Sequence, residues 1–117
     1  MSDGSLALKS EKSIQNEILR AFGTRPWLRI WRANAGVARF DGRTVRFGVP
    51  GQADLTGILP GGRRLEIEVK SDSGRQTKNQ KNYENIINGR GGLYILARSV
   101  DDVATALSDY IQEVSDA

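Results

Sequence analysis

Residues 54–70 read DLTGILPGGRRLEIEVK, and the parity of this stretch decides the architecture. Two β-prone runs, Asp54–Leu59 and Arg64–Lys70, flank the turn Pro60-Gly61-Gly62. So short a connection predicts antiparallel pairing. In the second run Arg64, Glu66, Glu68 and Lys70 share one parity, while Leu65, Ile67 and Val69 take the other. One face of this strand is apolar and its opposite is charged. An edge strand showing water its charged face has the same pattern. Asp54 adds weight to a second reading. It opens the preceding strand after the break Val49-Pro-Gly-Gln-Ala53, which places it beside Glu68 on the paired strand. Two carboxylates from adjacent strand ends, with Lys70 just beyond, form a site for a hard cation with a charged helper.

Working toward the C-terminus, Ser71–Arg75 is a polar loop, and Thr77-Lys-Asn-Gln80 has capping-box spacing. A helix is predicted there, with Tyr83, Ile86 and Ile87 as its apolar stripe and Gly89 as its stop. Leu93–Ala97 is a short apolar run typical of a covered strand. Ser99 caps a last helix in which Val100, Val103, Ala104, Leu107, Tyr110, Ile111 and Val114 keep helical spacing. The strand-helix-strand unit after Lys70 implies a crossover that lays its helix on one face of the sheet.

Toward the N-terminus, Val37–Phe40 and Arg43–Phe47 flank Asp41-Gly42, a strong hairpin signal. Trp27, Leu28, Ile30 and Trp31 follow Pro26 and suggest another strand. Ser10 caps a helix from Glu11 to Phe22, with Ile14, Ile18, Leu19 and Phe22 on one stripe. At ~100° per residue, Glu11 falls near the middle of that stripe with Gln15 close beside it, and Glu17 looks outward. The prediction is an α/β fold, a mixed β-sheet flanked by helices. Its core order is α-β-β-β-α-β, with an inserted hairpin and a C-terminal helix. Residues 1–10 are expected to be a flexible leader and 11–117 a single domain.

Composition narrows the chemistry. The chain has 117 residues, 38% of them hydrophobic, with Lys+Arg 17 against Asp+Glu 14 and a net charge of +3. That suits one globular core, and the basic balance permits a polyanionic partner. The absence of cysteine excludes a disulfide scaffold, a thiol nucleophile and thiolate metal sites. The absence of histidine excludes a Ser-His-Asp triad, a zincin and an imidazole base. Any metal would be hard and held by oxygen. No apolar stretch reaches the ~18 residues of a membrane span, and no signal-peptide core precedes the first helix. A soluble, cytoplasmic protein without membrane partner, nucleotide or organic cofactor is expected.

The run Gly51-Gln-Ala-Asp54, then Glu68-Val-Lys70 about a dozen residues on, resembles the PD-(D/E)XK nuclease motif. Glu11-x-x-Ile14-Gln15, Trp31-Arg-Ala-Asn34-Ala-Gly36 and Gln80 are similar to the VRR-NUC branch of that superfamily. The resemblance spans Glu11 to Val103; one departure is Ala53, where the family usually has proline. It implies a restriction-endonuclease-like core and divalent-metal-dependent hydrolysis of DNA phosphodiesters, with Holliday-junction resolution as one activity of small stand-alone members. On this reading Asp54, Glu68 and the Val69 main-chain carbonyl hold Mg²⁺ or Mn²⁺. Lys70 works on the attacking water and the transition-state charge. Glu11 holds a metal-bound water or a second ion, and Gln80 orients Lys70 or reaches the substrate phosphate. Arg39, Arg43, Arg46 and Asn34 are candidate DNA contacts.

Each assignment has a plainer alternative. Glu11 is also an acid favoured by the helix dipole. Gln80 is also the capping partner of Thr77. Arg39, Arg43 and Arg46 equally make a solvated basic ribbon, and Glu66 reads as structural. Trp27 and Trp31 read as core or interface. A non-catalytic DNA-binding module or a protein-interaction domain competes with the enzyme. Resolving a four-way junction needs two symmetric nicks, so a homodimer is expected.

Overall fold

The computed structural model describes residues 9–34 and 36–111. In chain order the elements are α1 (Glu11–Phe22), β1 (Arg29–Arg32), β2 (Gly36–Phe40), β3 (Arg43–Phe47), β4 (Leu55–Ile58), β5 (Arg64–Val69), α2 (Lys78–Gly89), β6 (Leu93–Ala97) and α3 (Val100–Ala106). Strands β1-β4-β5-β6 form one mixed sheet in that order, and β2-β3 stand apart as a two-stranded ribbon. The β1/β4 and β4/β5 pairs are antiparallel, and β5/β6 is parallel. The predicted α/β class, mixed sheet and element order all stand.

Helices lie on both faces of this sheet because β5 has two kinds of face. Leu65, Ile67 and Val69 are fully buried in a core with Ile14, Ile18 and Phe22 of α1, Val103 of α3 and Leu107. Each such side chain contributes about 1.5–3 kcal/mol of burial. On the opposite face, Tyr83 and Ile87 of α2 pack with Ala53 and Tyr94. Helix α2 therefore lies over the charged parity of β5. Arg64 at the strand start stays exposed, but the rest of the charged face is withdrawn from water: Glu66, Glu68 and Lys70 are only 0%, 3% and 9% exposed.

Three boundaries differ from expectation. Trp27 and Leu28 precede β1 rather than joining it, with Trp27 packed against the core as a partly buried side chain. Gly89 is the last helical residue of α2, Arg90 caps it, and Gly91 follows in the left-handed region at φ 86°. Helix α3 is interrupted at buried Leu107 (φ −97°, ψ 7°), helical geometry resumes over residues 108–111, and Val114 lies outside the described residues. Lys9 pairs with Glu17 at 2.9 Å, and Ser10 Oγ accepts the Ser13 N–H at 3.0 Å, so both belong to the domain.

The hairpin turns on Asp41 (φ 49°) and Gly42 (φ 77°). Both lie in the left-handed region that a two-residue hairpin turn requires. Its register pairs Val37 with Arg46 and Arg39 with Thr44, and pairs Phe40 with Arg43. Side chains alternate across a ribbon, so Arg39 and Arg46 share one face while Arg43 lies on the other. The three arginines thus do not form one basic face.

Candidate active site

Leu55 pairs with Ile67 across β4 and β5, so one further step sets Asp54 opposite Glu68. The Val69 N–H donates to Asp54 Oδ2 at 2.8 Å, fixing that carboxylate at the strand end. Gln80 Nε2 donates to Glu68 Oε2 at 3.0 Å, and Lys70 Nζ lies 3.7 Å from the same oxygen. Glu68 Oε1 is buried and has no hydrogen-bond partner. Burial, and then the neighbouring Asp54 charge, push the Glu68 carboxyl up to about 8 from its ordinary 4.5, against the pull of Lys70. Burial also raises Asp54, opposed by its bond from Val69. Two acids this close resist simultaneous ionisation, so at neutral pH the pair retains a proton.

A divalent cation fits this pair. The donors are hard oxygens, one of them is a buried orphan, and their mutual repulsion needs a counter-charge. Glu11 stands near the pair without joining it. It opens α1 half-buried, and its Oε2 accepts the Ser71 N–H at 3.2 Å. Its charge raises both Asp54 and Glu68. Among the described residues, no three acidic side chains cluster as a ready metal cage. Ser71 is itself anchored: Arg98 donates to its carbonyl and, at 3.3 Å, to that of Asp72. A Cβ on Gly74 would sit 3.3 Å from Glu11 Oε2, Lys70 Cδ and Ser71 Oγ, so these groups converge behind the pair.

Gln80 does two jobs with one amide. Its Oε1 accepts the Thr77 N–H at 2.9 Å, completing the capping box, while its Nε2 holds Glu68. The capping alternative is therefore present together with a site contact. That contact is to Glu68, not to Lys70. Gly51 lets the first turn of α2 come close enough: its φ is 79°, and a Cβ there would lie 2.2 Å from Asn79 O and 2.7 Å from Gln80 N. Glu66 is structural, as expected. It accepts from Tyr83 Oη at 2.6 Å, from Arg64 Nε at 3.0 Å and from Thr56 Oγ1. Burial, together with Glu66, pushes the Tyr83 phenol up to about 12.

Asn34 is exposed and lines a cleft of about 180 Å³ with Gln15, Arg32, Gln52 and Asp54. Arg32 in this cleft is a residue that sequence reasoning missed. Its guanidinium donates to both Gln15 Oε1 and Asn16 Oδ1, tying α1 to the end of β1. The next residue, Ala33, donates its N–H to the Asp54 carbonyl at 3.0 Å. A second cleft of about 280 Å³ runs between the hairpin base and the start of α2, lined by Val37, Arg46, Phe47, Gln52, Asn79 and Gln80. Arg46 is thus brought toward the site. Arg39 and Arg43 line neither cleft, and Arg39 donates to the Gly42 carbonyl at 3.4 Å. Trp31 is 45% exposed on β1.

Comparison with family models, curated proteins and solved structures finds no match for this chain.

Proposed function

We propose that this chain is a divalent-metal-dependent endonuclease that hydrolyses DNA phosphodiester bonds in branched DNA such as a four-way junction. The reading includes a restriction-endonuclease-like core of the VRR-NUC type. The observation that carries it is the Asp54–Glu68 pair, half-buried at Asp54 and buried at Glu68, with an orphan carboxylate oxygen and Lys70 alongside. Asp54 and Glu68 would hold Mg²⁺ or Mn²⁺, and the Val69 carbonyl is the main-chain candidate beside them. When bound, the ion polarises a phosphoryl oxygen and makes water a stronger nucleophile.

The chain's own residues supply the remainder. Lys70 places a positive charge where negative charge grows on the phosphoryl oxygens. Gln80 fixes Glu68 through Oε2 and so leaves Oε1 as its free donor oxygen. Glu11, held by Ser71, keeps a negative charge behind the pair and sustains its demand for a cation. Water attacks phosphorus, one P–O ester bond breaks, and the departing oxygen takes up a proton. Arg46 and Asn34 lead phosphates into the clefts on either side of Gln52. A two-fold dimer places two such sites on one junction. A labelled four-way junction incubated with Mg²⁺ or Mn²⁺ tests this. Cutting that EDTA and Asp54→Asn abolish is expected. EDTA-resistant cutting, or binding without any cutting, contradicts it.

A further inference from the structure

The hairpin carries two phenylalanines on a ribbon whose strands pack chiefly on each other. Phe40 is 59% exposed and Phe47 is 43% exposed. Their ring centroids lie 6.4 Å apart, edge to face. The register places both on the same face as Arg43, with Phe40 directly opposite that arginine. The reverse face carries Val37, Arg39, Thr44 and Arg46, and Val37 and Arg46, joined by Phe47 at the ribbon base, line the cleft that leads to Gln80. Gln80 in turn holds Glu68.

A lone two-stranded ribbon is marginal in water, and exposed phenylalanines make it costlier still. An occupant for this face has to offer flat apolar surfaces and negative charge together. The ribbon has three arginines against a single acid, Asp41 at its tip. A second copy of the same ribbon would bring arginine against arginine. Nucleobases stack on aromatic rings while their phosphates meet guanidinium groups. A paired duplex hides the base faces, so this surface gains only where strands separate.

Resting on the DNA-cleavage reading, we infer that Phe40 and Phe47 are a base-stacking platform that selects DNA with unpaired bases. The arginine face behind them takes the phosphates of the strand entering the cleft. The ribbon then works as a two-sided wedge at the point where duplex opens.

The test is equilibrium binding of the full chain in EDTA, where no metal-dependent cutting interferes. The probes are a blunt duplex, the same duplex with an unpaired bubble, and a single strand, with 2-aminopurine at an unpaired position. Wild type prefers the bubble and single strand, and the 2-aminopurine is quenched. The Phe40→Ala/Phe47→Ala variant loses about tenfold or more on unpaired DNA, with duplex binding little changed. Phe40→Leu/Phe47→Leu keeps the apolar bulk, guards against misfolding, and loses the same preference. Arg39→Ala or Arg46→Ala weakens all three DNAs together. Unchanged preference in the phenylalanine variants overturns the inference, as does a wild-type dimer that those variants split into monomers. In either case metal-dependent junction cutting by wild type leaves the nuclease reading intact. Base preference without any cutting by wild type does the opposite, sparing the platform and removing the nuclease.

Discussion

Glu68 is the residue in which stability and chemistry oppose each other. Its carboxyl titrates near 4.5 in an unfolded chain and about 8 in the fold. Folding therefore favours its protonated form, and the unfolded chain binds fewer protons between those two values. Stability should fall as pH rises from about 4.5 to about 8 and level off above, with Asp54 adding a contribution of the same sign. Glu68→Gln should flatten this slope and, at pH 8, stabilise the fold by about 1–2 kcal/mol. Urea midpoints at pH 5 and pH 8 check it; a variant less stable than wild type at pH 8 contradicts the arrangement. Lys70 tests the chemistry. On the proposed mechanism, in which its charge would act on the transition state, Lys70→Ala should lower kcat by about 10²–10³-fold with little change in DNA affinity. Equal losses in binding and turnover would make it a DNA contact instead.

At the scale of elements, what was legible in the sequence was local. The parity of Arg64–Lys70, the Asp41-Gly42 turn and the Thr77–Gln80 capping box are each read within a few residues, and each appears in the fold. The site's supports join residues far apart in the chain. Arg32 reaches back to Gln15 and Asn16, Arg98 clamps Ser71, and α2 covers the charged side of β5. No pattern within one element announces such contacts. This is why the parity of the charged strand alone is equally compatible with a solvent-facing edge, and why the sequence offers Lys70 or a substrate phosphate, but not Glu68, as the partner of Gln80. Gly51 belongs to the same class, since only its approach to Asn79 and Gln80 reveals its use. Gly51→Ala should strain the backbone and push the start of α2 away. A loss of about 1–3 kcal/mol is expected, with weaker Mn²⁺ binding as Gln80 releases Glu68. Denaturation and metal titration check both; wild-type values in each would show that the close approach is not needed.

For the whole molecule, the sheet separates two duties. Helices α1 and α3 build the large core on one face, and α2 shelters the acidic pair on the other. The hairpin stands outside both. No helix among the described residues is long and apolar enough to cross a membrane. If the chain cleaves junctions as proposed, sedimentation at micromolar concentration should show a dimer, because two symmetric nicks require two sites. A single species at 12.9 kDa, with and without junction DNA, would contradict it. The proposed metal centre is tested most directly by titrating Mn²⁺ calorimetrically at pH 7, in two buffers of different ionisation enthalpy. Because Glu68 titrates at about 8, it enters the experiment largely protonated and has to give up that proton to bind a cation. Saturable binding with release of about one proton per ion is expected, and Glu68→Gln should abolish both. Absence of Mn²⁺ binding, or binding that Glu68→Gln leaves unchanged, would contradict the assignment of Asp54 and Glu68 as a metal site.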